Sequence, residues 1–439
     1  MNRLLVRLLL GILVVLILSA GIAGIWWWKV SELKKNLVHD LETALGAKVE
    51  VSSLNLDLWH REIHAAGISL VNERANAPWE KGGISQATVH FRLSKLFSST
   101  LPLNVEVSSW SVVLHPYTSG SSETSMGTTG SNIETPSSSN GRIKVMRLLA
   151  REGEVEIHLS DDRKILFHGV SFEATNNGAE VWTTKLKTDS IQAGSLAAGS
   201  SSVQLRGDSE KITFANLRVP CDSGMITGEG ELSLKDNHSV HLDLKATDVP
   251  ISMLVGVQWQ MKLSGLTSGD LAYEGNDAMG DARGHLTLSA AKINVLPWLG
   301  AVTSLVSLPD ISNVELDKAT TDYEWKNGTI HLSNLDIRKK DILRISGDAE
   351  VDPKGQVESK LKLGLPSTVT ARWPKLQEKV FSVPFEDYNW TDVHLTGTPD
   401  HLQEDLTPRL LSAGAEEGSG LINQGTQKAV DLLKGFLGN

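Results

Sequence analysis

Apolar residues occupy every second position through much of this chain, the period that places side chains on one side of a β-strand. In KVEVSSLNLDLW the alternation runs through Val49 and Val51, then Leu54, Leu56 and Leu58, and the one-residue slip at Ser52 and Ser53 predicts a bulge or bend. It returns in ATVHFRL, in NVEVSSWSVVLH with Val105 and Val107, and in GEVEIHLS. Further along it recurs in SVHLDLKA with Val240, Leu242 and Leu244, in GHLTLSA with Leu286 and Leu288, in TIHLSNLDI, and in ESKLKLGL with Leu361 and Leu363. Short turn signals such as KDNH, DPKG and WKNG separate neighbouring runs, which predicts antiparallel meanders. A strand with one apolar side needs only one dry side, so these residues are candidates for the dry face of an open sheet. They fit the inside of an ordinary sandwich equally well.

A different pattern opens the chain. From Leu8 to Trp28 no residue is charged and only Ser19 is clearly polar, enough for about 31 Å of helix, one bilayer core. Trp26, Trp27 and Trp28 followed by Lys29 mark its exit at headgroup level, where an indole keeps its ring in hydrocarbon and its N–H in water. The competing reading is a cleaved signal peptide, with Arg3 and Arg7 as its basic start and Gly21 to Ala23 as a cleavage site. Positive charges nearly balance across the segment, and the very short N-terminal tail favours a cytoplasmic start with an exported body. Next, SELKKNLVHDLETALG spaces Leu33, Leu37, Leu41 and Leu45 by one helical turn, with Ser31 as N-cap and Gly46 as stop. That amphipathic helix lies either on the membrane or on the first strands.

Residues 117–141, a run of Ser, Gly and Thr, carry too few apolar side chains to offset the entropy of ordering, and read as a flexible linker or long loop. The expected divisions are therefore an anchor over residues 1–29, the amphipathic helix over 30–46, a first β region over 47–116, the linker, a second β region over 142–411, and a C-terminal tail over 412–439 with a weak amphipathic helix. ITGEGELSLKDNHSVHLDLKATDVP from Ile226 and ISGDAEVDPKGQVESKLKLGLP from Ile345 share an order of apolar, small, Gly, acidic, strand, turn, strand and proline, either a repeat or a generic hairpin. The formal net charge of -10 argues against nucleic acid as a partner. A single cysteine, Cys221, excludes an intramolecular disulfide.

The N-terminal anchor, the short helix ending in glycine, and AKVEVSSLNLDLWHREIHAAGISLVNE together resemble the opening of the AsmA-like family of bacterial envelope proteins, of the AsmA and TamB type. ELDKATTDYEWKNGTIHLSNLDIRKKDILRISGDAEVD resembles that family's C-terminal region, here residues 223–411, and VHLTGTPDHLQEDLTPRLL resembles its closing strand. These are patterns rather than signatures, and no invariant chemistry accompanies them. The resemblance implies an elongated antiparallel twisted sheet curled into an apolar groove along which lipid acyl chains lie. It also implies an inner-membrane protein with its body in the periplasm, phospholipid as ligand, a possible envelope protein partner, and a part in lipid transport or outer-membrane homeostasis.

Candidate chemistry is sparse. HREIH places His60, Glu62 and His64 on one face of a strand, a conceivable metal set, although polar residues on the wet side of a strand look the same. HEXXH and GXSXG are absent, and GEGELS at Gly228 lacks the rest of a dinucleotide loop. Trp59, Trp79, Trp110, Trp182, Trp259, Trp298 and Trp325 are candidates for a groove rim or for core packing, and VLPWLGAVTSLVSLP is the most apolar stretch of the body. The expectation is a mainly β, non-enzymatic lipid-binding protein with no cofactor, catalytic residue or metal. The alternative is a structural or assembly scaffold of the cell envelope.

Overall fold

The computed structural model describes residues 47–57, 59–72, 79–92, 101–115, 143–159, 164–177, 181–194, 196–235, 239–254, 263–276, 280–293, 315–398 and 401–418, together with Val38 and Glu42, which are helical. The expected anchor with Trp26, Trp27, Trp28 and Lys29, the serine-rich segment, Leu58, VLPWLGAVTSLVSLP and the last residues of the chain lie outside these. Among the described residues no helix is long and apolar enough to cross a membrane. The fold is mainly β, 75% strand, in a largely antiparallel sheet that is not closed. The chain forms two compact units, Met1–Gly194 with Gln204–Asp208, and Ser195–Val203 with Ser209–Asn439.

The first unit starts as an antiparallel meander of β1 (Lys48–Asp57), β2 (Glu62–Val71), β3 (Trp79–Phe91) and β4 (Leu101–Leu114). β5 (Ile143–His158) then pairs with β4 in parallel. Parallel neighbours need a crossover of a dozen or more residues, and residues 115–142 supply it. Two expectations change here: the meander is not wholly antiparallel, and the strands flanking the serine-rich segment are neighbours in one unit rather than members of two regions. The units part between Gly194 and Ser209 instead. β6 (Lys164–Asn176) follows antiparallel on β5 and carries both β7 (Trp182–Thr188) and β8 (Ser190–Ala193). The second unit receives β9 (Leu196–Ala198), while β10 (Ser201–Gly207) pairs with β7.

The slip of alternation at Ser52 belongs to a crease that crosses the first unit. β1 and β2 keep one register while the apolar residues change parity on both, from Val49 and Val51 opposite Leu70 and Ile68 to Leu54 and Leu56 opposite Ala65 and Ile63. Gly67, at the break in β2, has φ 62, and a Cβ there would lie 2.5 Å from Ser52 Oγ, so the crease needs glycine. The break continues at Ser109 in β4 (φ 50) and Glu152 in β5 (φ 54), where Ser109 Oγ donates to Glu152 Oε2 at 2.9 Å. It reaches Gly169 in β6 (φ 63), opposite the interruption at Asp189 that separates β7 from β8. The ring of Trp110 from one side of the crease meets that of Phe172 from the other at 5.7 Å, so the apolar residues on both sides share one face.

The second unit is an antiparallel meander of β11 (Lys211–Cys221), β12 (Gly224–Ser233), β13 (Val240–Pro250), β14 (Leu263–Gly275), β15 (Gly280–Ile293), β16 (Lys318–Lys326), β17 (Thr329–Lys339), β18 (Leu343–Val351) and β19 (Val357–Pro366). Bulges fall on alternate strands, each holding a non-glycine residue in the left-handed region: Asn216, Asp248, Ala290 and Asn334. The neighbouring strand caps two of them, since the amide of Asp248 donates to Ser268 Oγ at 3.0 Å and that of Asn334 to Asp348 Oδ1 at 3.2 Å. The two repeat-like stretches are the β12–β13 and β18–β19 hairpins. Each ends in a proline followed by one helical turn, α1 (Ile251–Leu254) after Pro250 and α2 (Ser367–Thr370) after Pro366.

Among the described residues, the second unit acquires another layer at its end. α2, α3 (Pro374–Lys379) and a hairpin of β20 (Val383–Phe385) with β21 (Tyr388–Thr398) follow β19, and β21 pairs back onto β19. β22 (His401–Glu404) adds to β21, and Glu404 Oε2 accepts from the amides of Leu406 and Thr407 to cap α4 (Leu406–Gly418). Leu376, Val380 and Phe381 from α3 and its C-terminus, with Leu406, Leu410 and Ala413 from α4, pack on Leu343, Ile345, Leu361, Leu363, Leu365, Val393 and Leu395. Phe381, Leu363, Leu365, Val393, Leu406 and Leu410 are all fully buried there.

Because this is the closed core, truncations should separate it from the rest of the sheet. Phe381→Ala is expected to cost about 3–5 kcal/mol of stability. Leu244→Ala, on a half-buried strand face, should cost about 1 kcal/mol, in keeping with its smaller transfer from water. Urea unfolding of the two variants checks the difference.

Candidate functional site: the apolar face of the sheet

Strand register carries the apolar side from strand to strand without interruption. In the second unit Phe214 faces Gly230, Gly230 faces Leu242, Leu242 faces Tyr273, Tyr273 faces Ala282, Ala282 faces Trp325 and Trp325 faces Ile330. A parallel row joins Leu288, Ala319, Ile337, Ile345 and Leu363. The first unit has the same construction, with Val89 opposite Val105, Ala87 opposite Val107, Val105 beside Leu148 and Val107 beside Ala150. Apart from α1 at the end of β13, the described elements packed against β11 to β17 are chiefly the neighbouring strands themselves. Among the described elements those strands present a continuous apolar side, with Leu335 and Ile337 of β17 packed against the core under the helices.

The expected lining residues divide accordingly. Val240, Leu242, Leu244, Leu286 and Leu288 lie on the apolar face of the second unit and are half-buried. Leu54, Leu56, Val105 and Val107 are half-buried on the face of the first, and Val49 and Val51 on the same face are buried. Leu361 and Leu363 share the face but are removed from an open groove, because α3 and α4 seal them at 7% and 0% exposure. Of the tryptophans, Trp110 and Trp325 belong to the apolar face, whereas Trp59 projects from the β1–β2 turn at 95% exposure.

Aromatic rings on this face occupy the space above glycines of the next strand. A Cβ at Gly153 would meet Trp110 Cε2 at 2.2 Å, one at Gly230 would meet Phe214 Cε1 at 2.5 Å, and one at Gly280 would meet Tyr273 Oη at 2.3 Å. Tyr273 in turn stacks near Trp325, with centroids 6.4 Å apart and planes at 28°. The polar tip of Tyr323 is turned back into the backbone, where its hydroxyl donates to the Asp270 carbonyl at 3.0 Å. Burial, with a smaller contribution from the Asp270 charge, pushes that phenol up to about 12, so it stays neutral. Two polar atoms on the face, Trp110 Nε1 in the first unit and Thr267 Oγ1 in the second, are buried without a hydrogen-bond partner among the described residues.

The opposite face is polar and explains most of the histidines. His241 sits with Asp243 and Glu274, His285 with Asp322, His331 with Glu350, and His168 with Glu154, each on neighbouring or alternating strand positions. The expected set of His60, Glu62 and His64 is divided: His60 Nδ1 bonds Asp57 in the turn at 2.7 Å, while Glu62 lies between His64 and His90 of β3. A different group was not foreseen. Glu80, His115 and His158 bring one ligand atom each within 4.8 Å of one another. They stand far apart in sequence, and the only signal was that SVVLH and VEIH both end an alternating run in histidine.

Near the closed core, Asp336 of β17 collects Lys318 Nζ at 2.9 Å, Arg344 Nε at 3.0 Å and Arg338 Nη2 at 3.4 Å. No protein-family model matches the chain, and no curated protein matches it.

The Asp336 cluster yields a pH dependence. Burial alone would raise its carboxyl, but hydrogen bonds and charge from Lys318 and Arg344 together hold it below the ordinary value. A depressed carboxyl contributes stability above its unfolded value, near about 3.9, and loses it as pH falls through the folded value. Asp336→Asn should therefore lower the urea midpoint at neutral pH, and the gap from the native chain should narrow below about pH 4.

Proposed function

We propose that this chain is a membrane-anchored, AsmA-like envelope protein that holds lipid acyl chains on the apolar face of its sheet. It contributes to phospholipid transport or outer-membrane homeostasis from the periplasmic side of the inner membrane. The observation that carries the reading is a sheet whose strands share one apolar side, largely half-buried over β11 to β16 and, among the described residues, covered by α3 and α4 at β18, β19 and β21. Sheets ordinarily bury such a side against a second layer. An acyl chain needs no directional partner there, since each methylene removed from water contributes roughly 0.8 kcal/mol. The rings of Phe214 and Tyr273 over Gly230 and Gly280 add aromatic surface to the face of the second unit. The helices over Leu361 and Leu363 would form the closed end of such a surface. The mechanism is desolvation alone, and the polar side, with its paired histidines and carboxylates, faces water.

The test compares the full chain with Leu242→Glu combined with Leu244→Glu, both purified under one protocol so that lipid held by the anchor is common to them. Mass spectrometry of extracted lipid should show loss of the additional phospholipid in the double variant. A photoreactive residue at position 242 should label lipid in cells, and one at position 243, on the polar face, should not. Equal lipid in a folded double variant, or equal labelling at 242 and 243, would sink the groove and leave the scaffold reading.

A further inference from the structure

We propose that Glu80, His115 and His158 form a binding site for a divalent transition-metal ion of the zinc class at one end of β3, β4 and β5. Two imidazoles and a carboxylate are a ligand set that zinc accepts, with the fourth position of its tetrahedron left to water or an external ligand. Among the described residues this is the one group of three such side chains whose ligand atoms all come within 4.8 Å. Tetrahedral ligands of zinc stand roughly 3.3 Å apart at ordinary bond lengths. His115 Nε2 and Glu80 Oε2 are already 3.0 Å apart.

The fold, rather than local sequence, builds the group. The parallel pairing of β4 with β5 sets Leu114 beside Ile157, so His115 and His158 follow side by side as the strands end, with ring centroids 5.0 Å apart. Glu80 comes from the start of β3, antiparallel to β4, where Trp79 faces Leu114. The His158 ring is also held by its neighbours. His158 Nε2 is 2.7 Å from Glu156 Oε1, and Lys164 Nζ is 2.6 Å from the same oxygen. A carboxylate on one imidazole nitrogen fixes the ring and leaves the other nitrogen for a metal. Other histidines of the polar face are arranged differently: His241, His285 and His331 are joined to carboxylates, and His64 and His90 share Glu62 without the three ligand atoms all coming within 4.8 Å of one another.

An ion here would tie together the ends of three strands, including both strands flanking the crossover formed by residues 115–142. Metal binding to a folded site stabilises the state that contains it. The inference is independent of the lipid reading, since the group lies on polar strand ends.

Cobalt(II) titration of the full chain in detergent tests it. The expected result is one ion per chain with tetrahedral d–d absorption, displaced by zinc, and a melting temperature that rises with zinc. His115→Ala and His158→Ala should each remove the absorption and the thermal shift, and Glu156→Gln should weaken binding by about tenfold or more through the second shell. His64→Ala combined with His90→Ala controls for binding at other surface histidines and should leave both readouts unchanged. The proposal fails if the native chain shows no cobalt absorption, or if folded His115→Ala and His158→Ala variants, checked by circular dichroism, bind as the native chain does.

Discussion

Everything in this protein depends on keeping the apolar side chains of successive strands on the same side of one sheet. Side chains alternate with a period of two, so one unmatched extra residue would carry the rest of a strand's apolar set to the wet face. The chain meets this constraint in two ways. In the first unit the irregularities line up across strands, through Ser52, Gly67, Ser109, Glu152 and Gly169, so that the register survives while all strands change phase together. In the second unit single bulges at Asn216, Asp248, Ala290 and Asn334 are placed on alternate strands, each restoring the apolar sequence after one inserted residue. Asn and Asp tolerate the left-handed conformation better than most residues, and three of the four positions carry them.

The same constraint explains the pairing of rings with glycines. On a face not covered by a second layer, a large aromatic side chain standing upright would be wetted on all sides. Laid over a glycine of the next strand, it buries one face of its ring against backbone, as Trp110 does over Gly153 and Phe214 over Gly230. Gly230 and Gly284 thus stand on the apolar side where alternation alone would call for a valine or leucine. Such glycines weaken a strand by their own entropy, and the overlying ring compensates through contact.

What could be read from the sequence follows from which of these facts are local. Alternation in SVHLDLKA and GHLTLSA identified Leu242, Leu244, Leu286 and Leu288 as members of one face, because side-chain period is a property of the strand itself. The slip at Ser52 and Ser53 was legible for the same reason. The parallel pairing of β4 with β5 was not, since strand order depends on where a connection delivers the chain, and residues 115–142 carry no pattern that states it. Leu361 and Leu363 read as lining like any other alternating leucines, because the helices that seal them lie later in the chain and approach through tertiary packing. Glu80, His115 and His158 converge through that same unforeseen strand order, whereas His60, Glu62 and His64, close in sequence, are split by a turn.

The two faces differ in what they can contribute to stability, and that difference bears on what the open face is for. On the polar side the ion pairs are largely exposed, as with His331 and Glu350 at about half their full accessibility, and such pairs contribute little. On the apolar side the end under α3 and α4 reaches a dry core, and Ala291, Leu316 and Ala319 form a smaller buried cluster. Over the rest of β11 to β17, among the described residues, the backbone ladder and contacts between neighbouring strands carry much of the fold, and many apolar side chains are half-buried. Any apolar occupant of that face would raise stability by mass action, since it binds the folded sheet and not the unfolded chain. A filled sandwich core would gain nothing from such an occupant. Glycines and bulges keep that side continuous, as the proposed binding of acyl chains requires.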